Sequence, residues 1–300
     1  MYAIQTDRLV KKFNNATAVN NLDLNVPEGR IFGLIGPDGA GKTTTIRLLC
    51  GLYKIDSGSA ALFGDDVDKD PEKVKDSIGY MSQKFSLYGD LSVEENLDFF
   101  AEIHLVPKNE IEKRKKELLE FSRLEKFKDR PAQNLSGGMK QKLALSCTLI
   151  HTPKILFLDE PTTGVDPISR REFWQIIKSL VPKVTIFVTT PYMDEAGMCD
   201  RVALMLNGKI LTEGTPGQIK AKMQKQVIEL VCDQIRPAAR LLEAKYPFEV
   251  FGDRLHIVSD SASADIPKIE AALKQGGLDV CELRQIEPSL EDVFVWMMRT

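Results

Sequence analysis

The sequence predicts an α/β fold in two parts: a larger domain built on a parallel sheet with helices on its faces, then a small accessory α/β domain. Three observations carry this. The apolar strand Ile31–Ile35 runs straight into a glycine-rich loop and then a helix-patterned stretch. Two further apolar strands, 155–158 and 184–188, bracket a helical stretch at 169–180, and strands alternating with helices imply parallel pairing. Beyond Val227 the texture changes to short strand-like pieces alternating with short helical ones.

Each element has a local reason. Residues 22–26 alternate apolar and polar as a half-buried strand does, and Pro27-Glu28-Gly29 turns the chain into the strand at 31–35. After the loop, residues 44–52 carry apolar side chains at helical spacing and stop at Gly51. Residues 92–149 read as a helical insert. It opens on the capping box Ser92-Val93-Glu94-Glu95 and contains a charged amphipathic helix at 110–124, whose Lys113-Arg114-Lys115-Lys116 run is expected to be a solvated face. In the accessory part, strands are expected at 227–231, 249–251 and 255–258, and helices at 237–244, 266–274 and 290–298.

A chain of 300 residues is long enough for two domains, because single cores stop growing at roughly 250 to 300 residues. The expected division is 1–222 and 227–300, with a linker at 223–226. A composition of 43% hydrophobic and 28% charged residues is that of an ordinary globular chain and excludes disorder as the main state. With 40 Lys+Arg against 43 Asp+Glu, the net charge of -3 is not the footprint of a nucleic-acid binder. Cys50, Cys147, Cys199, Cys232 and Cys281 form no C-x-x-C pair, so a zinc site is not expected and buried thiols in a reducing compartment are. The first ten residues lack the apolar core of a signal peptide, and no run approaches 18 apolar residues. A cytoplasmic chain without a membrane span is expected.

Gly36-Pro37-Asp38-Gly39-Ala40-Gly41-Lys42-Thr43 fits G-x-x-x-x-G-K-[ST] at every fixed position, between a strand and a helix. Such a loop lets backbone N–H groups wrap phosphates, while the following helix adds its positive end. Gly36 to Thr44 are therefore the candidate nucleotide contacts: Lys42 would reach the β- and γ-phosphates and Thr43 would hold Mg²⁺. The strand at 155–158 ends in Asp159 and Glu160, and functional residues sit at the carboxyl ends of parallel strands. Asp159 is placed to hold Mg²⁺ through water, and Glu160 to orient and deprotonate an attacking water. Leu135-Ser136-Gly137-Gly138-Met139-Lys140-Gln141 precedes a helix, which makes Ser136 and its glycines a second anion-attracting helix end.

With the phosphate loop, this Leu135–Gln141 stretch and the two carboxylates in that order, the chain over roughly residues 2–222 resembles the ATP-binding cassette (ABC) family, a group of P-loop NTPases. The resemblance implies ATP and Mg²⁺ as cofactors. It gives Ser136, Gly137, Gly138 and Gln141 the part of a signature acting in trans on a second cassette, in a homodimer or a heterodimer. Gln83 takes the Q-loop position, as a catalytic residue and metal ligand beside Thr43 and Asp159. Asp166, within Gly164-Val165-Asp166-Pro167, takes the D-loop position, and Phe13 the adenine-stacking one. The tail, Pro288-Ser289-Leu290-Glu291-Asp292-Val293-Phe294, resembles bacterial drug-resistance cassettes served by membrane permeases of the ABC-2 class. A motor of an exporter at the cytoplasmic face of the inner membrane is implied, with the insert and residues 83–100 gripping the permease.

One position departs from the family. Where the family carries a switch histidine after the strand at 184–188, this chain has Pro191, and its histidines, His104, His151 and His256, lie elsewhere. Proline has neither a side-chain hydrogen bond nor an N–H to offer, so slow hydrolysis is expected. Thr190 is expected to cap a helix with Pro191 in its first turn. Two other functions stay open: a non-catalytic, ATP-dependent dimerising sensor and a soluble non-transport ATPase of the same superfamily.

Overall fold

The structure, a computed structural model, describes residues 1–84 and 87–299. The chain forms two compact units, Met1–Glu213 and Gly214–Thr300. In the first unit, β1 (Tyr2–Phe13), β2 (Ala16–Pro27), β4 (Ser57–Leu62) and β5 (Asp65–Asp66) make an antiparallel sheet in the order β2-β1-β4-β5. Leu22, Leu24 and Val26 bury one face of β2 while their neighbours stay outside, the period of two that a one-sided sheet requires.

The second sheet has the order β10-β9-β3-β8-β7-β6. Its members are β3 (Ile31–Ile35), β6 (Ile78–Met81), β7 (Ile155–Asp159), β8 (Thr185–Thr190), β9 (Arg201–Leu206) and β10 (Lys209–Gly214). β3 pairs in parallel with β8 and β9, and β7 in parallel with β6 and β8. β3, β7 and β8 are buried at every residue, as central strands covered on both faces must be. The expected parallel sheet is therefore present. β9 and β10 meet at Asn207-Gly208, both with positive φ, a hairpin signal that is visible in the sequence. Helices α1 (Lys42–Leu49), α2 (Pro71–Ser77) and α6 (Pro167–Leu180) accompany this sheet.

The insert consists of α3 (Val93–Ile103), α4 (Lys108–Ser122) and α5 (Gly137–Leu149) around a core that includes Val93, Leu97, Leu119 and Leu143. Both halves of the Ser92/Glu95 capping box form, at 3.2 and 2.7 Å. The basic run on α4 departs from expectation. Lys115 is buried, with Nζ 2.8 Å from Asp98, 2.9 Å from Glu112 and 3.4 Å from Glu94. Arg114 is turned inward too, donating to the Ile150 carbonyl at 2.9 Å. These cations pin α4 to its neighbours because a buried ammonium must be paired.

The second unit is an antiparallel sheet, β12-β13-β11-β14, of β11 (Gln226–Cys232), β12 (Phe248–Phe251), β13 (Arg254–Ser259) and β14 (Val280–Ile286). Two helices, α8 (Ile235–Leu242) and α9 (Ala262–Gln275), share a core with Ile228, Leu230, Leu255 and Ile257. The division falls earlier than the sequence suggests. Thr215 and Gln218 form a capping box that starts α7 (Pro216–Ala221), and α7 packs on the last helix, α10 (Leu290–Arg299). The stretch read as the tail of the first domain thus belongs to the second. Cys281 is exposed rather than buried, because it faces outward on β14.

Glu229 on β11 stands opposite His256 on β13 and Arg284 on β14. It accepts from Arg254 at 3.0 Å and Arg284 at 2.9 Å. His256 Nδ1 lies 2.8 Å from Asp292 of α10, which tethers that helix to the sheet. The bond to Asp292, helped by Glu229 and opposed by burial, raises the His256 pKa above its ordinary 6.5. Burial opposes ionisation of Asp292, but the bonds from His256 and Ser289 outweigh it and hold that carboxyl below its ordinary 3.8. The histidine contribution is complete below 6.5 and lost as pH rises through the folded value. The Asp292 contribution is complete above 3.8 and lost as pH falls through its folded value. In the full chain, amides of α10 should thus be better protected from hydrogen exchange at about pH 6 than at about pH 8.5, after correction for intrinsic rates. His256→Gln should remove the difference.

Candidate active site

The glycine loop leaves the carboxyl end of β3, and its place is set by backbone contacts. Gly36 N–H donates to the Thr190 carbonyl at 3.3 Å. A Cβ at Gly36 would lie 2.1 Å from the Met205 carbonyl oxygen, and one at Gly41, where φ is +107°, would lie 2.3 Å from that of Ala18. Only glycine fits either position. Gly41 caps α1, so the first N–H groups of that helix open on the loop.

The predicted chemistry-bearing residues come together here. Lys42, 4% exposed, donates from Nζ to the carbonyls of Gly36 and Pro37 at 2.8 and 3.0 Å and lies 3.3 Å from Glu160 Oε1. Thr43 Oγ1 donates to Asp159 Oδ1 at 3.0 Å. Gln83 Nε2 donates to Glu160 Oε2 at 2.9 Å, and Thr163 Oγ1 reaches the same oxygen at 3.4 Å. Glu160 has φ +50°, a left-handed conformation that costs a non-glycine residue about 1 kcal/mol. Bonds from its N–H to the carbonyl and hydroxyl of Thr189, at 3.0 and 3.2 Å, hold it there.

A cavity of about 440 Å³ is lined by the loop from Asp38 to Thr44 together with Ala18, Gln83, Glu160, Thr163, Pro191 and Tyr192. The donors present suit a triphosphate: a lysine, a hydroxyl and glycine backbone that approaches closely. Thr43 and Asp159 supply the oxygen ligands a hard divalent cation takes, with Gln83 nearby. The structure thus fits both implied cofactors.

Several functional neighbours escaped the sequence reading. Thr189, in register with Asp159, donates to its Oδ1 at 2.7 Å. Tyr80 OH lies 3.5 Å from Oδ2; burial, opposed by Arg47 and aided by Asp159, pushes this phenol up. Tyr192 lines the cavity directly. Only strand register could have found Thr189, whereas Tyr192 follows Pro191 in sequence and was within reach.

The remaining predicted residues lie apart. Phe13 is 42% exposed and set edge-on to Tyr53 at 5.4 Å, but it does not line the cavity. Ser136 caps α5, accepting from Met139 N–H at 3.3 Å. Gly137 and Gln141 line a different cavity, of about 460 Å³, which they share with Gln83. Gly138 has a packing reason as well, since a Cβ there would meet Ser169 Oγ at 2.4 Å. Asp166 caps α6 by accepting from Ser169 and Ile168 N–H, and those bonds hold its carboxyl low. Pro191 corrects the sequence reading: it precedes the 3₁₀ turn Met193–Met198 rather than entering a helix, while Thr190 Oγ1 accepts from Tyr192 N–H at 3.0 Å. Phe85 and Ser86, inside the 83–100 stretch expected to grip a permease, lie outside the described residues.

Residues 19–163 match the ABC transporter family, and residues 214–298 match the C-terminal domain of DrrA1-3-like ATP-binding proteins. The daunorubicin/doxorubicin resistance ATP-binding protein DrrA of Streptomyces peucetius is 37% identical over 306 residues, covering 98% of this chain and 91% of that protein. The chain belongs to the ABC transporter ATP-binding family. The cassette is also 43% identical over 241 residues to YbhF of Escherichia coli K12, described as a probable multidrug ABC transporter ATP-binding protein. That match covers 77% of this chain but only 42% of YbhF. Among solved structures, the dimeric post-hydrolysis state of the cassette MJ0796 bound to ADP and Pi superposes with a TM-score of 0.64 at 25% identity, covering 71% of this chain and 98% of that one. The expected P-loop fold is therefore shown. Among the described residues no helix is long and apolar enough to cross a membrane.

Proposed function

We propose that this cassette is the ATP-hydrolysing motor of a bacterial exporter, driving a separate permease of the ABC-2 class, with slow turnover at its own site. The observation that carries the catalytic reading is Glu160, held between Lys42 and Gln83 at the edge of the phosphate-loop cavity. Lys42 binds the phosphates and neutralises their charge. Glu160 orients and accepts a proton from the attacking water, and Gln83 fixes the carboxylate. Thr43 and Asp159 would hold Mg²⁺, which supplies positive charge to the β- and γ-oxygens when bound. Ser136, Gly137, Gly138 and Gln141 serve a second cassette, the same or different: none of them lines the phosphate-loop cavity, and Gly137 and Gln141 lie on another one.

Export is supported by the drug-resistance relatives, whose C-terminal domain this chain shares. A partly apolar surface cavity supports the pairing with a permease helix. A cavity of about 460 Å³ is lined by Phe100, Ile103 and Leu105 on one side and Leu52, Ile78 and Tyr80 on the other, and Leu52, Ile103 and Leu105 are exposed. The test is copurification with a multi-span permease and a measurement of ATPase in its presence. The proposal expects a stable complex and a rate that rises with the permease. A cassette that binds MgATP tightly, dimerises and shows no hydrolysis with any permease is instead the sensor, the reading that Pro191 favours.

A further inference from the structure

Tyr192 is built into the site with no task in the scheme above. It lines the same cavity as Lys42, Thr43, Glu160 and Pro191, and both its ring and its backbone are held. The Arg170 guanidinium lies over it, 4.5 Å from the ring centroid. Its N–H donates to Thr190 Oγ1, which sets the turn. Arg170 is in turn placed by carboxylates, 3.7 Å from Glu195 Oε1 and 3.7 Å from Asp194 Oδ2. Glu195 is 2% exposed and accepts from Thr162 Oγ1 at 2.5 Å. Thr162 follows Glu160 by two positions. A partly buried ion pair, Arg170 with Glu195, thus links the Tyr192 turn to α6, and Thr162 links Glu195 to the loop that carries Glu160.

The other polar side chains of the cavity are largely engaged with one another: Lys42, Gln83 and Thr163 with Glu160, and Thr43 with Asp159. Among the described residues the Tyr192 hydroxyl has no hydrogen-bond partner. A phenol can donate to a phosphoryl oxygen or accept from a water; the adjacent proline can do neither. We propose that the Tyr192 hydroxyl contacts the transferring phosphoryl group or its attacking water where Pro191 offers nothing, with Arg170 as the positioning residue that holds the ring. This rests on the cavity being the ATP site.

The test uses the full chain and measures MgATP binding with a fluorescent nucleotide separately from steady-state ATPase. Tyr192→Phe keeps the ring and its contact with Arg170, so folding is preserved. It should lower kcat about 10-fold, less than the roughly 10² to 10³ of a fully preorganised transition-state donor, with nucleotide affinity unchanged within about twofold. Arg170→Met should lower kcat by a similar factor, and the double variant should be no slower than the worse single, the non-additivity expected of residues acting as a unit. In a Pro191→His background Tyr192→Phe should change kcat less than about twofold, because the imidazole takes over the contact. A Tyr192→Phe protein that binds MgATP and keeps its kcat within about twofold overturns the assignment. Multiplicative losses overturn the part given to Arg170. If the unaltered chain does not bind MgATP, the site reading itself falls and Tyr192 with it.

Discussion

Glu160→Gln should leave MgATP bound and reduce hydrolysis about 10³-fold, the largest loss expected of any single substitution in this cassette. The amide is nearly isosteric and keeps a carbonyl oxygen for Gln83 Nε2 to donate to, at 2.9 Å in the native site. What it cannot do is accept a proton from water. It also removes the charge 3.3 Å from Lys42 Nζ, which frees that ammonium for phosphate. Affinity should therefore hold or rise while turnover collapses. Nucleotide binding and phosphate release measured on the same preparation decide the matter. An equal loss in both would mean that Glu160 is a structural brace for Lys42, a pairing whose two members are 4% and 8% exposed.

The site was legible in the sequence to the extent that its residues are contiguous or end a strand. Gly36 to Thr43, Asp159 and Glu160 are read from local pattern, and the parallel sheet that brings them together follows from apolar strands alternating with helices. What the pattern missed depends on pairing between distant segments. Thr189 reaches Asp159 only because β7 and β8 lie in register, and one sequence carries no mark of that. Lys115 looks like part of a basic solvated stripe until α3 places Glu94 and Asp98 beside it. β1 went unassigned because its burial pattern is irregular, broken by bulges against β2 that shift the alternation a strand is recognised by. β14, with its two exposed residues at a time, fails the same test. The start of α7 is marked by a capping box at Thr215 and Gln218 that the sequence displays, whereas its place in the second unit rests on packing against α10, which the sequence does not.

Pro191→His should raise the ATPase rate about 30-fold and lower stability slightly, two effects of opposite sign. Restoring one positioned contact at a reacting phosphoryl group is worth 10² to 10³ in other sites, and the gain is smaller here because Tyr192 already supplies part of it. The position allows the change. Pro191 lies before the 3₁₀ turn rather than inside a helix, on the cavity that holds Glu160, so an imidazole there faces the reacting groups without a new backbone conformation. Losing the proline ring frees the unfolded chain and costs about 0.4–1 kcal/mol, a drop of about 1–4 °C in Tm for a unit of this size. Activity that rises while Tm falls cannot come from better folding. The decisive control is the same substitution on Glu160→Gln: with no base to deprotonate the water, the histidine should give no gain. A Pro191→His protein as slow as its parent would place the limit on turnover elsewhere, in assembly with the second cassette, and would remove the reason for calling this site impaired.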